Sequence, residues 1–374
     1  MPSSHYVRML AAVTIVSAGF LPAHAQAPVQ NNPAAAAQTA GKPDADMEKV
    51  LNTLAGLGGK PIESLQPSDA RKQPTPTDAV MKIIKDEKIK ADPHAGLSVA
   101  NSRFADMGNL RLRYYTPEKA NKDSNLPVVV YFRGGGWVIA SLDVYDSSPA
   151  AIARKANAIV VSVDYPMGPE SKFPAAHDEA IDAYKYIAKN AKGWGGDPAK
   201  IAIVGESAGG NLAVNTAIAA RDQNLQKPVA VVAVYPVATS SMETPSKRQY
   251  AQAKPLNTPM LSWFFQHALP DEKAKDDPRL NLVAAKLDGL PPVTIITAEI
   301  DPLTSEGEML AEKMKAAGVD VTHKNYPGVT HEFFGMDAVV AKAAEAQDFA
   351  VSQLNKGFGG SAAPATVGTG TTAK

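Results

Sequence analysis

Two hydrophobic patterns alternate along the chain. Pro127 to Phe132, Ala158 to Val163, Ile201 to Val204, Val229 to Val234 and Val293 to Thr297 are short, unbroken apolar runs rich in Val and Ile. A strand covered on both faces has no polar side to show, so these runs predict buried strands of a parallel sheet. Between them apolar residues fall at helical spacing, as at Ile181, Tyr184 and Ile187, and at Met309, Leu310 and Met314 ahead of Gly318. Val321 to Tyr326 predicts a further strand and Asp337 to Leu354 a closing helix. Strand and helix in alternation predict an α/β fold: a doubly wound, mostly parallel sheet with helices on both faces.

Upstream the pattern changes. Leu110, Leu112 and Tyr114 alternate with Arg111, Arg113 and Tyr115, which predicts a half-exposed edge strand. Met47, Val50, Leu51 and Leu54 follow helical spacing as far as Gly58-Gly59. Thr77 is placed as the N-cap of a second helix carrying Val80, Met81, Ile83 and Ile84. Lying outside the alternation, these two helices are expected to cap a site. Residues 26–42 are rich in Ala, Pro, Gln and Asn without apolar periodicity and are expected to form a disordered linker. The Gly, Ala, Thr and Ser tail, 357–374, is expected to be disordered as well.

The first 25 residues have a different character. Arg8 precedes the apolar run Met9 to Leu21 and then Ala23-His24-Ala25, the layout of a secretory signal peptide with an A-x-A cleavage site. The run is too short to span a bilayer comfortably. The expectation is an exported protein, periplasmic or secreted, with no stable membrane anchor after cleavage.

The 374 residues suffice for one large α/β domain or two small ones, and a hydrophobic fraction of 45 % supports a sizeable core. Lys plus Arg (38) equals Asp plus Glu (38), so charge gives no argument for nucleic acid or an acidic membrane as partner. The absence of cysteine excludes disulfides, thiolate catalysis and Cys-based metal sites.

The strand Ile201 to Val204 runs into Gly205-Glu206-Ser207-Ala208-Gly209-Gly210. This is G-x-S-x-G, a strand–turn–helix in which glycines clear the space around a serine pushed outward on a strained turn. A serine hydroxyl is a poor nucleophile until a base takes its proton and a carboxylate orients that base. In this kind of sheet the order along the chain is Ser, then Asp or Glu, then His. His267, His323 and His331 follow Ser207. His267 lies in an aromatic helical stretch ahead of the good carboxylate candidates, and His323 lies inside a predicted strand. His331 lies in the loop after that strand and is the candidate base. Asp301, just beyond the strand Val293 to Thr297 and stiffened by Pro302, is the candidate acid, with Glu299 as its rival. Gly134, Gly135 and Gly136 follow the strand ending at Phe132; with the N–H of Ala208 they are the candidate oxyanion hole.

Gly-Gly-Gly-Trp, Gly-Glu-Ser-Ala-Gly-Gly-Asn-Leu-Ala, Asp-Pro-Leu and the late His together resemble the hormone-sensitive-lipase-like (family IV) carboxylesterases of the α/β-hydrolase fold, from about Leu110 to about Leu354. The resemblance assigns the nucleophile to Ser207, the acid to Asp301 and the base to His331, and the oxyanion hole to Gly134–Gly136 with Ala208. It implies a catalytic domain over 94–356 and a helical cap built from 43–93 and an insertion at about 240–269. It also implies hydrolysis of small-molecule carboxylic esters with short to medium acyl chains, no cofactor, and a homodimer as a possible assembly. The chain departs from the family twice. Arg133 stands where the family has His before the three glycines, and Pro166 stands where it has Arg, so an internal ion pair is changed or gone.

The remaining candidates take structural readings: Glu206 a structural carboxylate, His177 a surface or capping residue, and His94 a loop residue without a metal role. Trp263, Phe264, Phe265, Phe333 and Phe334 either line an acyl pocket or pack in core and cap. The leading expectation is an exported serine carboxylesterase. The same triad also suits an acetyl esterase, a lactonase or an amidase, and Arg133 leaves room for a catalytically weak binding protein on a hydrolase scaffold.

Overall fold

In the computed structural model, residues 41–104 and 110–360 are described; the expected signal peptide, most of the linker and the chain beyond Gly360 lie outside them. Eight strands form one sheet: β1 (Leu97–Phe104), β2 (Leu110–Pro117), β3 (Leu126–Phe132), β4 (Ile159–Val163), β5 (Gly196–Glu206), β6 (Val231–Val234), β7 (Val293–Ile300) and β8 (Val321–Thr330). Their order is β1-β2-β4-β3-β5-β6-β7-β8. The pairs from β4 to β8 are parallel, and only β1–β2 and β2–β4 are antiparallel.

The continuous apolar runs are explained by what covers them. Val128, Val130 and Phe132 of β3 join a core built against α5 (Ala175–Asn190), α6 (Ala208–Asp222) and α9 (Thr304–Ala316). Val129 and Tyr131 point the other way, into a core with α4 (Ser147–Ala156) and α10 (Ala341–Gly357). Neither face has water to meet, so neither selects polar residues.

The edge differs from the expectation. β2 is not an edge strand, because β1 pairs along its whole length from Leu97 opposite Pro117 to Phe104 opposite Leu110. Half of the β1 sequence Leu-Ser-Val-Ala-Asn-Ser-Arg-Phe is polar, because an edge strand keeps much of its surface in water, so it carries little apolar signal.

Ahead of the sheet lie α1 (Ala45–Gly56), α2 (Pro67–Ala70) and α3 (Pro76–Asp86). The N-cap of α3 is Thr75 and not Thr77. Thr75 accepts from the Asp78 N–H and the Asp78 carboxylate accepts in return from the Thr75 N–H, with Pro76 at the first helical position. Thr77 sits inside the first turn and donates to the carbonyl of Val144 at 2.7 Å. α3 buries Ala79, Val80 and Ile83, while Met81 is exposed. At the other end α10 reaches Gly357 and Phe358 is buried, so the ordered chain runs further than the composition of the tail suggested.

The segment expected as a cap insertion holds α7 (Pro245–Gln249) and α8 (Thr258–Ala268). α7 is fastened to α9 by an ion pair with no exposure to water, Lys247 Nζ to Glu306 Oε2 at 2.6 Å. Lys247 also donates to the carbonyls of Thr239 (3.2 Å) and Ser241 (2.7 Å), and Glu306 accepts from the Ala238 N–H (2.9 Å). Removing one partner strands the other charge in the interior, so Lys247→Ala is expected to cost about 3–5 kcal/mol in urea denaturation. Replacing both, as Lys247→Met with Glu306→Leu, is expected to recover most of that loss. An unchanged urea midpoint in Lys247→Ala would mean that the pair does not hold the segment down.

Candidate active site

β5 ends at Glu206 and α6 begins at Ala208, which leaves Ser207 alone on the turn with φ 58° and ψ −119°. A side-chain-bearing residue rarely adopts that conformation, and here the surroundings enforce it. The Ser207 N–H donates to the Val234 carbonyl at 2.9 Å, and its carbonyl accepts from the N–H groups of Asn211 and Val237, both at 3.2 Å. The flanking glycines are obligatory. A Cβ on Gly205 would lie 2.0 Å from the Gly209 carbonyl oxygen, and one on Gly209 would lie 2.1 Å from that of Phe132.

Two neighbouring strand ends deliver the partners. Asp301 follows the last residue of β7 and His331 the last residue of β8. Asp301 Oδ2 lies 2.6 Å from His331 Nδ1, and His331 Nε2 lies 3.0 Å from Ser207 Oγ. The second oxygen of Asp301 accepts the Leu303 N–H at 2.9 Å, which fixes the rotation of the carboxylate. All three side chains are buried. The rivals lie elsewhere. Glu299 accepts the N–H of Gly328 at 2.7 Å, His323 meets the Thr297 hydroxyl at 2.9 Å, and His267 stacks edge-on against Trp263.

Burial alone would lower the affinity of His331 for a proton. The Asp301 carboxylate outweighs that, by its charge and its hydrogen bond, with Glu332 and Glu206 adding to it, so the imidazole sits above its ordinary value. Sequence reasoning named Glu206 as a structural carboxylate but found neither its partners nor Glu332. Glu206 is buried and accepts from the hydroxyls of Tyr131 and Tyr235, and the Tyr235 ring lies 4.5 Å from that of His331. Glu332, in a left-handed conformation at φ 66°, accepts from the Tyr145 hydroxyl at 2.9 Å. Burial pushes both carboxyls up. These tyrosines lie in separate elements, and no local spacing marks them.

The glycine loop lies against the serine. A Cβ on Gly134 would fall 2.2 Å from the Tyr145 hydroxyl and 3.2 Å from the Ser207 Cβ. Gly135 (φ 105°) and Gly136 (φ 58°) turn the chain, and the Gly135 carbonyl accepts from the N–H groups of Val138 (3.0 Å) and Ile139 (2.9 Å). Among the described residues the N–H groups of Gly135, Gly136 and Ala208 have no acceptor. Unpaired donors beside a nucleophile are what a developing oxyanion requires.

One structural reading is corrected. His177 is neither on the surface nor a cap. It is buried and meets Asn211 Oδ1 at 2.9 Å, and burial lowers it to about 4, so it is neutral near pH 7. Its spacing with Ala180, Tyr184 and Ile187 along the buried face of α5 was the available signal. His94 lies in the turn ahead of β1, as its reading as a loop residue had it, and its Nε2 meets Asp146 Oδ2 at 2.5 Å, a carboxylate that also takes Arg113 and the Tyr115 hydroxyl. The stretch after Pro166 is bound by an arginine from far along the chain. Arg71, just after α2, grips Glu170 with two bonds of 2.7 Å and donates to the carbonyls of Val138 (2.8 Å) and Gly168 (2.7 Å). Its guanidinium holds the Glu170 carboxyl down at about 2.

Over the serine opens a cavity of about 580 Å³, walled by Leu51 and Leu54 of α1, Val144, and Phe264 and Phe265 of α8, with Ser207 and His331 also on its lining. Phe264 sits so close to Gly136 that a Cβ there would meet its ring at 2.4 Å. Trp263 instead turns its indole N–H to the Leu65 carbonyl (3.0 Å), joining α8 to the segment just ahead of α2. Phe333 and Phe334 do not line the cavity. The left-handed turn at Glu332 sends them into the core beside α10.

Residues 129–335 match the alpha/beta hydrolase fold family. The chain is 38 % identical over 257 residues to carboxylesterase NlhH of Mycobacterium tuberculosis, covering 68 % of this chain and 80 % of that protein. It is 31 % identical over 298 residues to the ethyl acetate hydrolase of Pseudomonas putida, covering 79 % and 92 %. The solved structure of the hyperthermophilic esterase from Pyrobaculum calidifontis superposes with a TM-score of 0.73 at 32 % identity, over 82 % of this chain and 97 % of that one.

Proposed function

The chain belongs to the alpha/beta hydrolase family and is a carboxylic ester hydrolase, and from that premise we propose that it cleaves short- to medium-chain esters through an acyl-enzyme formed on Ser207. The observation that carries the proposal is the unbroken hydrogen-bonded chain Asp301–His331–Ser207 at an apolar cavity.

In this reading His331 Nε2 takes the proton of Ser207 as Oγ attacks the ester carbonyl carbon. Asp301 keeps the other proton on Nδ1 and stabilises the imidazolium. The carbonyl oxygen, now an anion, is met by the N–H groups of the glycine loop and Ala208, each such donor being worth about 3–4 kcal/mol in comparable sites. His331 then hands its proton to the departing alcohol. Water enters, loses a proton to the same nitrogen and attacks the acyl carbon, and Ser207 leaves with the proton restored.

The test is a pre-steady-state assay with p-nitrophenyl acetate, butyrate, octanoate and palmitate. A burst of p-nitrophenol followed by steady turnover is expected, absent in Ser207→Ala. The apolar cavity is expected to raise kcat/KM by up to about fourfold per added methylene until the chain outgrows it. Palmitate is expected to be hydrolysed least efficiently. No release from any ester by the folded protein would overturn the proposal.

A further inference from the structure

The residue that departs from the family pattern in the glycine loop is also its most heavily engaged side chain. Arg133 has no exposure to water. Its Nη1 donates to the carbonyls of Gly134 and Ile139, both at 3.1 Å, and its Nη2 lies 3.4 Å from Asp164 Oδ1. The guanidinium carbon stacks 4.4 Å over the ring of Tyr165. The Tyr165 hydroxyl turns back to the same loop and donates to the carbonyls of Arg133 (2.9 Å) and Gly134 (3.1 Å).

These bonds act on the neighbouring amides. A peptide unit is planar and trans, so its C=O and N–H point in opposite directions. The Gly135 carbonyl is held by the turn itself, through Val138 and Ile139, and that sets the direction of the Gly136 N–H. No backbone donor among the described residues holds the Gly134 carbonyl. Its donors are the Arg133 guanidinium and the Tyr165 hydroxyl, and they set the direction of the Gly135 N–H.

We propose that Arg133 is a positioning residue: anchored by Asp164 and Tyr165, it clamps the Gly134 and Ile139 carbonyls and thereby aims the Gly135 N–H at the developing oxyanion. The proposal rests on the esterase reading of this site. A planar fork of donors suits two carbonyls, a carboxylate and a ring face at once, whereas a lysine offers one ammonium point and cannot stack in the same way. Asp164 is also paired with Arg111, so removing Arg133 does not leave that carboxylate alone.

The experiment compares wild type, Arg133→Met, Arg133→Lys and Tyr165→Phe with p-nitrophenyl butyrate and with a trifluoromethyl ketone, which forms a tetrahedral oxyanion on the serine. Misplacing one donor by about 1 Å is worth about 100-fold. Arg133→Met is therefore expected to lose about 100-fold in kcat and in ketone affinity, with KM within about threefold of wild type. Arg133→Lys is expected to fall between the two, and Tyr165→Phe to shift kcat and ketone affinity the same way by a smaller factor. A side chain that only supports the fold would lower the urea midpoint and leave the ratio of ketone affinity to KM unchanged. A folded Arg133→Met with wild-type kcat and ketone affinity overturns the proposal. If Arg133→Met does not fold, an unchanged ketone affinity in Tyr165→Phe overturns it instead. Ser207→Ala is measured alongside. Turnover surviving there removes the esterase reading, whereas its loss together with a fully active Arg133→Met removes the clamp alone.

Discussion

Ser207→Ala is expected to lower kcat by roughly 10⁶-fold while changing stability by less than about 1 kcal/mol. The two halves of that expectation come from different parts of the same residue. The side chain makes one hydrogen bond, to His331 Nε2, and the chemistry needs its oxygen. The backbone makes the bonds that hold the turn, to Val234, Asn211 and Val237, and alanine keeps all of them. The strained φ of 58° is imposed by close packing around Gly205 and Gly209, and an alanine Cβ occupies the position of the serine Cβ. The residual rate above water would come from the oxyanion donors and from binding. Steady-state kcat with p-nitrophenyl butyrate and a urea midpoint on the same preparation check both halves. A variant within tenfold of wild-type kcat would mean that another group is the nucleophile.

Asp301→Asn is expected to cost about 10⁴-fold in kcat. The geometry says why a change of one atom does so much. The Asp301 carboxylate serves two donors, the Leu303 N–H and His331 Nδ1–H. An asparagine has one oxygen, and the buried Leu303 N–H needs it. Its amide N–H₂ then faces His331 Nδ1, which must accept, so the imidazole proton moves to Nε2. That nitrogen can no longer take the proton of Ser207. The pH profile is expected to change as well. In the wild type, burial lowers the proton affinity of His331 and the Asp301 carboxylate more than reverses this, so the net shift is upward. His331 works as a base only when neutral, so kcat/KM is expected to fall as pH drops through that raised value. Without the Asp301 charge burial dominates, and the acid limb of Asp301→Asn is expected to move to lower pH. An acid limb that stays in place would show that it belongs to a group other than His331.

How much of this was legible beforehand follows from the range over which each feature is encoded. The continuous Val- and Ile-rich runs of β3, β4, β5, β6 and β7 announce strands covered on both faces, because every residue in them meets the same apolar surroundings. The turn at Ser207 is equally local, since its glycines are required by atoms a few residues away and by the strand beside it. Ser207, Asp301 and His331 each follow the end of a predicted strand, so topology alone predicts their convergence.

Strand β1 gave no such signal, because an edge strand is half in water and its identity depends on β2 accepting it as a partner. The long-range ion pairs gave none either. Buried Lys247 finds Glu306 across 59 residues of chain, and half-buried Arg71 finds the exposed Glu170 across 99. Arg133, a departure from the pattern when read along the chain, becomes a clamp only once Asp164 and Tyr165 are brought beneath the loop. The sequence by itself therefore determined the alternation of elements, the nucleophile turn and the order of the reacting groups, each of which follows from residues close together in the chain or from strand order. Tertiary structure decided which buried polar groups satisfy one another, because a charge or hydroxyl excluded from water takes whatever partner the fold carries to it, and nothing in its own neighbourhood names that partner.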